Sequence, residues 1–289
     1  SNRITHGLAQ GESLASVQAA MEQGSIATWG DRYDLVRDRI APRMQLVRML
    51  RGETPVFGVL DSEDFDEAAF ESYLQGDIGR LLATSWYWIR KMQARYLAGD
   101  YALAAECAHK AQALMWTSPA YFEQVEYHFY AALAIPACVG SKEENRAGDS
   151  LRKVAEHHRQ LLSWAELCPS TFACRAALVG AEIARLEGQS LQAMHGYESA
   201  IASARDNDFV HVRAMANEIA ARFYLHSGLE KASRGYLLEA RHCYSYWGAD
   251  AKVWQIDALY PSNANESRSV RLSGTIDTPI KHLDLSTVI

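Results

Sequence analysis

Apolar residues return every three or four positions along most of this chain, the spacing that gathers them on one face of a helix with about 3.6 residues per turn. Between Thr171 and Glu187, Ala176, Val179, Ile183 and Leu186 advance by three, four and three, and Gly188 ends the run. Met194, Tyr197, Ile201 and Ala204 continue in the same rhythm as far as a stop at Asn207 and Asp208, so the pair predicts a helical hairpin. The pattern then recurs. Ala216, Ile219, Ala220 and Phe223 mark a helix ending near Gly228, and Tyr236, Leu237, Ala240 and Tyr244 mark a partner ending at Gly248.

The turn glycines Gly188 and Gly228 stand 40 residues apart, and each is followed twelve positions later by alanine, Ala200 and Ala240. Upstream, Gly99 and Ala111 repeat that interval. A small residue at a fixed distance after a turn lets the two helices of a hairpin approach closely, which is the logic of helical solenoids. The Tyr96-Leu-Ala-Gly-Asp-Tyr101 turn with Ala104 and Ala108 resembles the tetratricopeptide repeat most closely, and the other hairpins read as degenerate copies. The expected fold is all-α, with tetratricopeptide-like hairpins stacked sideways into a right-handed superhelix.

Other segments are less regular. Leu14 to Met21 and Tyr33 to Leu50 read as helices, the second interrupted or kinked at Pro42. Arg51 to Asp66 reads as a surface connection. Phe122 to Cys138 predicts an aromatic-rich helix broken near Pro136 and Gly140. Ser141 to Gly148 then predicts a loop, with Asp149 or Ser150 capping a helix over Leu151 to Leu167. After a short helix from Ala251 to Leu259 the composition turns polar, so residues 3–261 are assigned to the helical domain and 262–289 to a linker leading toward a further domain. Ser1 and Asn2 read as a tag scar and are set aside.

Composition narrows the function. With 48% hydrophobic residues and a formal charge of −6, Lys and Arg interleave with Asp and Glu, so the phosphate-neutralising surface that nucleic acid needs is not predicted. No apolar run approaches the roughly 20 residues that cross a bilayer, so no membrane insertion is expected. Five cysteines scattered among helical patterns read as reduced thiols and point to the cytoplasm.

The chemistry-bearing motifs point away from catalysis. A Gly-x-x-x-x-Gly-Lys-Ser/Thr loop, the kinase landmarks and a Gly-x-Ser-x-Gly elbow are all missing from the sequence. His157 and His158 are adjacent and diverge by about 100° on a helix, so they do not converge on one ion. Cys168 and Cys174 lack the tight spacing of a zinc or redox pair. No catalytic, cofactor or metal residue is assigned. Trp86-Tyr-Trp88 and Tyr127-His-Phe-Tyr130 occupy successive helical positions and must point in several directions. They either fill the space between hairpins or reach a groove, and Trp86, Trp88, Tyr127 and Tyr130 are the candidate groove residues.

The runs Trp164-Ala-Glu-Leu-Cys-Pro-Ser-Thr-Phe172, Ala181-Glu-Ile-Ala-Arg-Leu-Glu-Gly188, Tyr197-Glu-Ser-Ala-Ile201, Ala220-Ala-Arg-Phe-Tyr224, Tyr244-Ser-Tyr-Trp-Gly-Ala249 and Leu259-Tyr-Pro261 resemble the helical segment of large bacterial signalling proteins. Those proteins join a serine/threonine kinase-like module and an AAA-type ATPase to a GAF domain and a sensor histidine kinase. His282 to Ile289 is similar to the connector before the GAF domain. The resemblance implies a non-catalytic module that relays signals and meets a protein, a peptide or neighbouring domains of its own polypeptide, with homodimerisation allowed. An enzyme with a cryptic groove site and a structural or dimerising spacer are the alternatives.

Overall fold

The computed structural model describes residues 7–26, 34–138 and 144–261, and the three-and-four rhythm is helical wherever it was read. A helical turn at 7–10 leads to α1 (Leu14–Ile26), followed by α2 (Asp34–Leu50), α3 (Glu67–Gln75), α4 (Leu81–Ala98), α5 (Tyr101–Gln112), α6 (Glu123–Cys138) and α7 (Glu144–Leu167). Then come α8 (Pro169–Leu186), α9 (Ser190–Asp206), α10 (Val210–His226), α11 (Glu230–Trp247) and α12 (Asp250–Leu259). No strand occurs among the described residues; Ser62 and Phe65 form an isolated bridge. The fold is all-α.

One backbone device makes the bends. At the ends of α4, α8, α9, α10 and α11 a residue takes positive φ: Gly99 (90°), Gly188 (74°), Asp208 (60°), Gly228 (75°) and Gly248 (87°). The amide of the next residue then reaches five residues back, as from Gln189 to the Ala184 carbonyl (2.8 Å), Phe209 to Ala204 (2.8 Å), Leu229 to Tyr224 (2.9 Å) and Ala249 to Tyr244 (2.9 Å). This left-handed cap satisfies carbonyls that a helix end otherwise leaves open. Positions 188, 208, 228 and 248 fall 20 residues apart, so the 40-residue spacing of Gly188 and Gly228 is two beats of a shorter period whose intervening member is Asp208.

Small residues then let each hairpin close. Ala111, Ala200 and Ala240 are fully buried, and a Cβ at Gly196 of α9 would stand 2.7 Å from that of Ala181 on α8. The hairpins stack through their first helices: α4 packs on α6, α6 on α8 and α8 on α10. Members further apart also meet on that side. The Tyr130 hydroxyl of α6 lies 3.5 Å from Met215 Sδ of α10, and Lys252 of α12 donates to the Leu97 carbonyl at the end of α4 (2.7 Å). The first helices therefore form the inner face.

Three segments differ from the sequence reading. The stretch expected as a loop is helical from Glu144 onward, and Asp149 pairs with Arg152 (2.6 Å) and Lys153 (2.8 Å) on its own helix instead of opening it. Helix α3 follows the Arg51–Asp66 connection directly. Its Asp66 side chain accepts from the Ala69 amide (2.8 Å), and Glu67 ties the connection down by accepting from the Leu60 amide (2.6 Å) and pairing with Lys91 (2.7 Å) and Arg95 (3.0 Å) of α4. Finally, α2 and α6 run through Pro42 and Pro136 as single helices.

The chain divides into two compact units, 1–253 and 254–289, a division that falls inside α12; of the second, residues 254–261 are described. The expected linker at 262–289 and the tag scar at 1–2 lie outside the described residues. No described helix is long and apolar enough to cross a membrane.

Candidate binding groove

The inner face is lined with charge. Arg43 of α2 and Arg90 of α4 share the Glu123 carboxylate of α6, Arg90 at 3.0 Å. Arg90 also donates to Gln93 (2.7 Å), Gln93 donates to Glu126, and Glu126 lies 3.9 Å from Arg175 of α8. Arg175 in turn lies 3.3 Å from His211 Nε2 on α10. Four helices, α2, α4, α6 and α8, thus contribute to a single polar spine of three arginines and two glutamates, all buried, and His211 of α10 adjoins its end. Aromatic rings cover the guanidinium faces, Trp86 over Arg43 (4.6 Å) and Phe209 over Arg175 (4.9 Å).

Burial and charge pull the two carboxyls in opposite directions. Burial acts to raise both; at Glu123 the flanking Arg43 and Arg90 outweigh it and hold the carboxyl below its ordinary value, whereas at Glu126 burial wins and the value is raised. Burial brings the Arg43 guanidinium down to about 10. His211 is pushed well below its ordinary value by burial, with Arg175 adding to the effect, and so is neutral.

Toward the C-terminal ends of the same helices the inner face opens. A cavity of about 380 Å³ lies among Tyr96 of α4, Leu133 and Pro136 of α6, Glu182 and Arg185 of α8, and Ile219, Arg222 and Phe223 of α10, with Tyr101 of α5 at its side. Arg185 grips Glu182 with two bonds (3.0 and 2.8 Å), and the Tyr197 hydroxyl donates to the same carboxylate (2.5 Å). Arg222 lies over the Tyr101 ring (5.4 Å). The walls are therefore part aromatic and part charged, and they come from four successive first helices.

The four aromatic residues singled out in the sequence are buried, each less than 10% exposed. Trp86 donates to Ser118 (3.1 Å), and Trp88 lies beneath Lys110 (4.1 Å). Tyr130 sits behind the cavity with its ring 5.7 Å from Tyr96. Tyr127 lines a second hollow of about 450 Å³ between α5 and α7, beside His109, Glu156 and His157. The structure does not bring the four together. His157 and His158 diverge as their spacing requires: His157 meets His128 of α6 (Nδ1 to Nδ1, 3.0 Å), while His158 lies against Gly180 of α8. Among the described residues no group of three His, Cys, Asp or Glu is placed to hold a metal. The five cysteines are free thiols.

Sequence reasoning missed the arginine spine and the cavity. The signal was present at Arg175, which shares a helical face with Leu178, Val179 and Glu182, a charge where the pattern asks for an apolar residue.

Fold and cavity together define an all-helical array of hairpins with a charged inner face and an open mouth. Comparison of the chain with protein-family models, with curated proteins and with solved structures finds no match.

Proposed function

We propose that this chain is a non-catalytic binding and relay module that holds a protein or peptide partner at the mouth of its inner face. The observation that carries the reading is the composition of the cavity wall, which takes residues from α4, α6, α8 and α10 at once. An occupant there touches four hairpins, so its binding energy favours one relative placement of them over another, which is what a relay requires. The mixed lining of Tyr96, Tyr101 and Phe223 with Arg185 and Arg222 suits a peptide, whose apolar side chains and polar main chain need both kinds of contact. Placement inside a bacterial sensor-kinase type protein is supported by the resemblance of the segments from Trp164 to Pro261 to that family.

Selection of a randomised dodecapeptide display library on the chain, followed by titration of the recovered peptides, tests the reading. Ala137 is half-buried and lines the mouth, so Ala137→Trp fills it from the helix surface. The expected result is at least a tenfold loss of affinity in the variant. Equal affinity for both proteins, or no recovered peptide, overturns the proposal.

A further inference from the structure

The N-terminal segment crosses the other end of the inner face. The carbonyl of Ala9 accepts a hydrogen bond from Arg175 Nη2 (3.0 Å), while Arg175 Nη1 donates to the Thr171 carbonyl of its own helix (3.0 Å). Arg175 is fully buried, so this carbonyl takes up a charge-assisted bond in a site closed to water. Two residues on, Gly11 turns at φ +75°, and a Cβ there would stand 2.7 Å from His211 Nδ1 and 3.2 Å from Val210 at the start of α10. Gly11 is therefore required both by the turn and by the approach. The segment then enters α1, whose Leu14, Val17 and Met21 are buried to 1% exposure or less. Leu14 lies within 4 Å of the space a Cβ at Gly248 would fill, so the bend between α11 and α12 leaves room for it.

The fit of this segment is incomplete in two places. His211 Nδ1 is buried without a hydrogen-bond partner beside Gly11. Between its anchors the segment spans a hollow of about 1010 Å³, with Gln10 to Ser13 on one side and Asp208, Arg213, His242 and Tyr246 among the residues facing it. The segment is held by one buried carbonyl, one glycine bend, a short apolar stripe, its packing on α2 and the Gln18 side chain, which accepts from Arg51 (2.6 Å) and donates to Glu53 (3.2 Å); with open space behind the bend, these few anchors give it the design of an occupant.

We propose that the first two turns of α8 and the first turn of α10, with the α11–α12 bend, form a docking site for a helix-entry segment, and that residues 7–21 are its exchangeable occupant. A second copy of the same segment fits the site in trans. The partner pattern is set by the contacts: a free carbonyl for Arg175, glycine two residues later, and apolar residues three, six and ten positions after the glycine. This site does not depend on the mouth at the opposite helix ends, so the two proposals stand or fall separately.

Fluorescence polarisation of a labelled peptide comprising residues 7–26 tests it on the full chain. In the Gly11→Val chain the resident segment is expelled by its own side chain, so the labelled peptide is expected to bind this variant at least tenfold more tightly than it binds the wild-type chain. The same peptide carrying valine at position 11 is expected to bind neither. Equal binding to both chains, or no binding to a variant that circular dichroism shows to be folded, overturns the proposal. If the valine variant unfolds, Gly11→Ala is used in its place. Unfolding of both also overturns it, because the segment would then be part of the core.

Discussion

Arg43 shows what holds the inner face together at the level of single residues. Its side chain is 1% exposed and two of its nitrogens, Nε and Nη1, have no partner, so its place depends on Glu123 and on the Trp86 ring. Removing one partner of a buried ion pair costs more than the pair itself contributes, because the other charge stays behind in low dielectric. Arg43→Ala is therefore expected to lower unfolding stability by about 3–5 kcal/mol in urea titration; a loss below about 1 kcal/mol, the range of an exposed pair, would show that the spine is hydrated. The His128–His157 pair gives a pH prediction. Burial holds both imidazoles down at about 4, with the neighbouring His157 adding to the effect at His128 and Glu156 opposing it at His157. An unfolded histidine titrates near 6.5. Between these values the unfolded chain binds protons that the folded one refuses, so stability is complete above about pH 6.5 and falls as pH falls toward 4. The drop in Tm from pH 7 to pH 4.5 should be several degrees smaller in His157→Gln than in the wild type; an unchanged drop would contradict it. Neither pair was legible in the sequence, because Arg43 and Glu123 are 80 residues apart and His128 and His157 are 29 apart. Helical periodicity reports which face a residue is on and not which distant residue it meets.

At the scale of the element, the regularity lies in the bends. Asp208 occupies the left-handed position that glycine holds at 188, 228 and 248, with φ 60°. An L-residue pays roughly 1 kcal/mol there relative to glycine. Asp208→Gly is thus expected to raise stability by about 1 kcal/mol and Tm by a few degrees in a calorimetric scan. Gly228 has open space around its Cβ position, so Gly228→Val should cost about 1–2 kcal/mol through the backbone alone. If both substitutions leave Tm unmoved, the shared cap is not what fixes the hairpins. The glycine bends and their alanines were readable because one residue type has one backbone meaning. Asp208 was not, since the Asn207-Asp208 pair reads as a stop without specifying which residue turns left-handed. The start of α7 was misread for a related reason: Gly148 weakens a helix without ending it when charged residues pair along the same surface. Helix α3 escaped because nine residues carry little periodicity, although Asp66 stands as an N-cap before Glu67.

Across the whole array, order depends on contacts that skip hairpins. Lys252 is 4% exposed and donates to both the Leu97 carbonyl (2.7 Å) and Glu218 (2.8 Å), and the Tyr244 hydroxyl donates to the other Glu218 oxygen (2.7 Å). These bonds join α4 to α10 and α12 across 155 residues of sequence, a closure that nearest-neighbour repeat logic does not anticipate. The sequence indicated stacked hairpins and left open whether the aromatic residues would fill the core or line a groove. All four are core, and the inner face opens instead at the mouth formed by the ends of α4, α6, α8 and α10. Amide hydrogen exchange with and without a peptide recovered from the display selection tests the binding role of that mouth most directly. Added protection is expected in the last turns of α4, α6, α8 and α10 together; protection confined to a single hairpin, or appearing only on second helices, would rule out a partner held across all four.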